Sequence, residues 1–133
     1  MSELIRSNLG VIYWERGSSI VVLQRSAVPA LDPGELLVFL DRFDLLIPPI
    51  SRKTLGLLMD MREGPLRNDP EYEQRLQRAV VRLVAGFRRV ALLMQTSVGV
   101  LQAGRLRREN GQLAVLPVPF RSEAEARAYL SEP

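Results

Sequence analysis

The sequence predicts an α/β fold: one mixed sheet of about five strands, opened by an N-terminal hairpin, with about four helices alternating with the later strands. Two observations carry this. Val11 to Gln24 holds two β-branched or aromatic runs, VIYWERG and SSIVVLQ, around Gly17-Ser18, the pattern of a hairpin. Later, the apolar runs Thr54 to Met61 and Val90 to Gln95 flank an amphipathic helical segment, and a strand, helix and strand of these lengths make a right-handed crossover between parallel neighbours.

The elements follow in order. Ala30-Leu31-Asp32-Pro33-Gly34-Glu35 places Asp before Pro, a cap and first-turn pattern, and the apolar segment Leu36 to Ile47 makes helix one. On a helical wheel Leu36, Phe39, Leu40, Phe43 and Ile47 share a face, whereas Leu37, Val38 and Leu45 point away from it. Pro48-Pro49 stops the helix. TLGLLMDM, Thr54 to Met61, reads as a strand covered on both faces.

Asp69-Pro70 starts helix two, with Glu71 and Glu73 in the first turn where negative charge meets the positive end of the helix dipole. Tyr72, Leu76, Ala79, Val80, Leu83, Val84 and Phe87 recur at helical spacing, and Arg88-Arg89 closes the element. After the strand Val90 to Gln95, Thr96-Ser97 precedes a third helix, about Val98 to Arg108, ended by Asn110-Gly111. Leu113 to Phe120 is the last strand, and Pro117 and Pro119 place it at an edge. Ser122-Glu123-Ala124-Glu125 starts a terminal helix whose Ala126 and Leu130 dock on the sheet.

Composition bounds the chemistry. With 133 residues, 47% hydrophobic and 25% charged, one domain with one core is expected. The formal charge is +3, and apart from Lys53 every basic residue is Arg. Cysteine and histidine are absent, which excludes disulfides, thiolate catalysis, most zinc sites and the usual general base near neutral pH. No cofactor or metal is implied. The N-terminus lacks a signal peptide's apolar core, and no uninterrupted apolar run approaches the roughly 20 residues of a bilayer span, so a cytoplasmic location is expected.

The texture GLLMDMREGPLRNDPEYE followed by VALLMQTSVGVLQAGRLRRENG, with this order of elements, resembles the STAS-like fold of anti-sigma-factor antagonists and the related SpoIIAA-like small bacterial proteins. The resemblance covers roughly Val11 to Leu130. It implies a single STAS-like domain over 1–133, with an ordered core from about 10 to 131, acting without catalysis as a regulatory or scaffolding module. In the antagonists the loop after the strand matching Thr54 to Met61 carries an acidic residue and then a phosphorylated serine. Asp60 matches the acidic position, but Arg62 to Asp69 contains no Ser, Thr or Tyr. Signalling through this loop would therefore use shape and charge.

Three features are candidates for function. Asp60, Arg62, Glu63 and Arg67 gather where a strand hands over to a helix, a place where open α/β sheets bind anions because free N–H groups and the dipole favour them. The alternative is an ion pair of Arg62 or Arg67 with Asp60 or Glu63. Thr96 and Ser97 sit at the corresponding end of the next strand; with no His, Ser97 would need an acidic or Lys base to act as nucleophile, and otherwise caps a helix. Leu37, Val38, Leu45 and Ile50 offer an apolar surface for a homodimer, a protein partner or a lipid-accommodating cleft, unless they are core. Arg88 and Arg89 with Arg105, Arg107 and Arg108 form a basic group, but without interleaved aromatics or a motif no nucleic acid is expected. The leading expectation is a protein partner or self-association through helix one. The second is an anionic small molecule, nucleotide or lipid at the strand C-terminal ends.

Overall fold

The computed structural model describes residues 2–15, 17–28, 32–64, 70–96, 115 and 117–133. Among these residues the sheet has six strands in the spatial order of the chain: β1 (Ser2–Ser7), β2 (Gly10–Trp14), β3 (Ile20–Arg25), β4 (Gly56–Asp60), β5 (Arg89–Leu93) and β6 (Val118–Phe120). β1, β2 and β3 pair antiparallel, and β3 to β6 pair parallel. The mixed sheet is thus as expected, with one strand more than the five counted from the sequence.

The additional strand is β1. SELIRS lacks clean alternation because its register with β2 shifts between Glu3 and Ile5, so Leu4 and Ile5 both turn inward. A bulge erases the period-two signal. β6 lies at an edge, in keeping with Pro119, which cannot donate to a ladder.

Among the described residues there are three α-helices: α1 (Pro33–Leu46), α2 (Pro70–Val84) and α3 (Glu123–Ser131). The fourth, expected over 98–108, lies outside the described residues. Capping follows the sequence closely. Asp32 accepts the Gly34 backbone N–H at 2.8 Å to open α1, and Ser122 accepts that of Glu125 at 3.2 Å to open α3. After α1, Pro49–Ser51 form a single 3-10 turn.

Two apolar layers sit on opposite faces of the sheet. Val21, Leu23, Leu57, Met59 and Val90 pack with Phe39, Leu40, Phe43 and Ile47 of α1 and Ala79, Leu83 and Val84 of α2. On the other face, Val22, Leu58, Ala91 and Leu93 pack against Ala126 and Leu130 of α3. Alternation along β4 joins them, since side chains i and i+2 share a face and every residue of the strand is buried.

Arg52 holds the far ends of α1 and α2 together. Its side chain is fully buried between the rings of Phe43 and Phe87, 4.6 and 5.1 Å from their centroids. It donates to the Ile47 carbonyl at 2.7 Å, the Ala85 carbonyl at 2.9 Å and the Asp44 carboxylate at 2.9 Å. One guanidinium therefore satisfies carbonyls beyond both helix C-termini, groups that helix geometry leaves without partners.

Candidate functional site

The C-terminal ends of β4 and β5 hold the first cluster. Asp60, the last residue of β4, is buried on the α3 side of the sheet, level with Leu93 of β5. The chain then turns back, and Arg62 closes onto Asp60 with both arms: Nε donates to Oδ1 at 3.0 Å and Nη2 to Oδ2 at 2.8 Å. The Arg62 backbone N–H also reaches Oδ1, at 3.2 Å. This bidentate geometry is the strong form of a guanidinium–carboxylate pair. The hydrogen bonds that Arg62 donates to Asp60 raise its pKa above the ordinary value, more than burial lowers it.

Arg62 also approaches the Glu123 carboxylate at 3.4 Å, tying the loop to the first turn of α3. Arg127, one turn further along α3, pairs with Glu15 at 2.6 Å and lies 3.8 Å from Glu123. Charges thus alternate in sign from Asp60 through Arg62, Glu123 and Arg127 to Glu15. The Tyr13 phenol lies in the field of this row. Burial first, then the Glu15 carboxylate, push its pKa up, with Arg127 opposing.

The expected site residues are distributed as follows. Asp60 and Arg62 are brought together, Glu63 is exposed beside them, and Thr96 is half-buried just past β5. Arg67 and Ser97 lie outside the described residues. Among the described residues no group of three or more His, Cys, Asp or Glu could hold a metal ion. Arg88 and Arg89 have a local use: Arg88 donates to the Leu130 and Glu132 carbonyls, and Arg89 to the Tyr129 carbonyl at 2.9 Å and the Glu132 carboxylate at 2.7 Å. They neutralise the C-terminal end of α3, where the dipole favours cations.

The apolar candidates are exposed. Leu37 is 54%, Val38 59%, Leu45 79% and Ile50 79% accessible, with Leu46 at 50% beside them. Together they run along the outer face of α1 and onto the 3-10 turn. Next to Val38, between the β1–β2 turn and α1, opens a cleft of about 620 Å³ lined by Leu9, Phe39, Val38 and Arg42.

Sequence reasoning missed Arg25. It follows Val21 and Leu23 at a spacing of two, so it points to the same buried face, and it is only 6% exposed. That phase is the signal that could have found it.

Among the described residues a mixed sheet in sequential order carries α1 and α2 on one face and α3 on the other, an α/β arrangement consistent with a SpoIIAA-like fold. The chain is similar in structure to an uncharacterized protein of the DUF3478 family with a SpoIIAA-like fold from Shewanella loihica PV-4, at a TM-score of 0.64 over 95% of this chain and 98% of the other. Identity between the two is 14%, so the likeness establishes the fold. No family model and no curated protein matches the chain.

Proposed function

We propose that the protein is a non-enzymatic regulatory or scaffolding module of bacterial signalling that works by protein–protein interaction, with the outer face of α1 as its contact surface. One observation carries the reading: the large apolar side chains Leu37, Val38, Leu45 and Ile50 are all exposed along α1 and the turn after it, two of them 79%. Large apolar side chains grouped on one face of a folded domain are characteristic of contact surfaces. Asp41 and Arg42, both exposed, lie between Val38 and Leu45 on the helix, so the patch carries both signs of charge. Asp41 is already paired with Arg82 at 3.0 Å. The SpoIIAA-like fold agrees with a binding module.

The alternative site for an anion, at Arg62, has weaker support because that guanidinium is already held by both oxygens of Asp60. The test is analytical ultracentrifugation across a wide concentration range, together with a pull-down, on the natural chain and on Leu45→Glu/Ile50→Glu. Self-association or a specific partner that the double variant loses is the expected result. A strictly monomeric protein that captures nothing would overturn the proposal.

A further inference from the structure

The outer face of α1 has a seam with a different chemistry on each side. Seven residues make two turns less about 20°, so Gly34 stands nearly in line with Asp41, Val38 with Leu45, and Glu35 with Arg42. Gly34, Val38, Asp41 and Leu45 follow one another at steps of four, three and four, the spacing along which two helices meet. Leu37 lies on one flank of that seam, and Glu35 and Arg42 lie on the other. All seven residues are exposed, Leu37 to 54%, Val38 to 59% and Leu45 to 79%. Glu35, Val38 and Arg42 also line the open cleft beside the β1–β2 turn, so their flank is accessible.

Charge decides what fits this face. Asp41 and Asp44 are held by Arg82 at 3.0 and 2.7 Å, which leaves Glu35 and Arg42 as the opposite charges that α1 presents outward. They sit two turns apart, whereas side chains on one helix pair at three or four residues. A second α1 running parallel about a two-fold axis would set Glu35 against Glu35 and Arg42 against Arg42. Running antiparallel, with the axis between Val38 and Phe39, Glu35 of each copy comes level with Arg42 of the other. The rotation keeps each flank on its own side, so both ion pairs form along one edge. On the opposite edge Leu37 meets Leu37, at the axis Val38 meets Val38, and Leu45 falls beside Gly34 of the second copy, where no side chain obstructs it. Centring the axis between Asp41 and Arg42 instead would match Val38 with Leu45 but bring Arg42 against Arg42.

We propose, resting on the reading of α1 as the contact surface, that its partner is a second copy of this chain, docked as an antiparallel α1 pair with its two-fold axis beside Val38 and two Glu35–Arg42 ion pairs across it. One helix of 14 residues from each chain forms the contact. A standard interface uses about 20 to 30 residues a side, so the dimer is weak and reversible, with a Kd in the micromolar range.

The experiment is sedimentation equilibrium of the full chain from micromolar to millimolar concentration, with charge reversals at exposed positions that leave the fold intact by circular dichroism. Glu35→Arg and Arg42→Glu each set like charges across the axis twice, and each should weaken dimerisation by about tenfold or more. An equimolar mixture of the two variants should associate again, as should the double exchange Glu35→Arg/Arg42→Glu. The chain has no cysteine, so Val38→Cys gives an independent reading: facing helices about 8 to 10 Å apart bring residues at the axis within disulfide reach. Mild oxidation should link Val38→Cys into a dimer and leave Ile50→Cys, far from the axis, unlinked. A strictly monomeric natural chain, a dimer indifferent to both charge reversals, or Ile50→Cys linking as readily as Val38→Cys would each overturn the proposal. A monomer whose capture of another protein is lost in Leu45→Glu/Ile50→Glu would overturn it too, yet leave α1 as the contact surface, so the two readings fail separately.

Discussion

At the scale of single residues, two buried arginines do opposite things with the same chemistry. Arg52 uses all its donating edges on partners the fold supplies, whereas Arg25 has one to spare. Replacing Arg52 with Met keeps the volume and the contact with Phe43 and Phe87 but strands the carbonyls of Ile47 and Ala85. Removing one partner from a buried charged network typically costs about 3 to 5 kcal/mol; we expect a loss of about 3 kcal/mol in urea unfolding. The Asp44 carboxylate offers a pH test of the same network. Burial is the largest single influence and raises its pKa, but hydrogen bonds from Arg82 and Arg52, with their charges, outweigh burial and the net shift is downward. An acid with a lowered pKa in the folded state contributes stability that is complete above its unfolded value, near 4, and is lost as pH falls through the folded value. The urea midpoint should therefore drop as pH falls below about 4, and Asp44→Asn should flatten that drop while lowering stability at pH 7. Arg52 was not legible as buried, because arginine is usually a surface residue and one of its carbonyl partners, Ala85, lies far along the chain, whereas the burial of Arg25 could be read from its phase with Val21 and Leu23 although its Leu9 carbonyl partner could not. Asp60 with Arg62 was legible as a cluster, since its members are two residues apart.

At the scale of elements, legibility followed the locality of the signal. The caps of α1 and α3 could be read directly because Asp32 and Ser122 act within their own first turns. The core face of α1 was clear from its spacing, and so was the outward set Leu37, Val38 and Leu45. β1 could not be read, since its inward residues depend on a bulge set by β2. A helix exit gives a further prediction. Gly86, just past α2, has φ 89°, and a Cβ there would sit 2.3 Å from the Pro49 carbonyl oxygen. Both the left-handed backbone and the close approach of the 3-10 turn require glycine. Gly86→Ala should therefore cost well over 1 kcal/mol, measured by chemical denaturation. Leu45→Glu on the outer face of α1 should by contrast change stability by less than about 0.5 kcal/mol, because the side chain is already 79% exposed. That contrast allows the α1 surface to be tested for binding without confusion from unfolding.

At the scale of the whole molecule, the fold depends on a strand that serves two apolar layers. Leu57 and Leu58 are neighbours in β4 and both are fully buried, yet Leu57 packs beneath α1 and α2 while Leu58 packs against α3. If the two layers melted separately, damage on one face would leave the other's transition in place. Shared backbone argues otherwise: β4 lies inside the sheet between β3 and β5, so loss of either layer disrupts hydrogen-bond ladders that the other needs. Trp14, packed partly buried on the α1 and α2 side, gives a fluorescence probe of that layer, and far-UV circular dichroism reports all helices. Leu57→Ala and Leu58→Ala should each remove about 2 to 5 kcal/mol, the usual cost of such truncations. Both probes should show coincident midpoints in the natural chain and both variants, as expected of one cooperative domain. The decisive comparison is Leu58→Ala, because its cavity opens on the face away from Trp14. A tryptophan midpoint that stays at the natural value while the dichroism midpoint falls would mean two independent layers, and the single-domain reading of the chain would have to be abandoned.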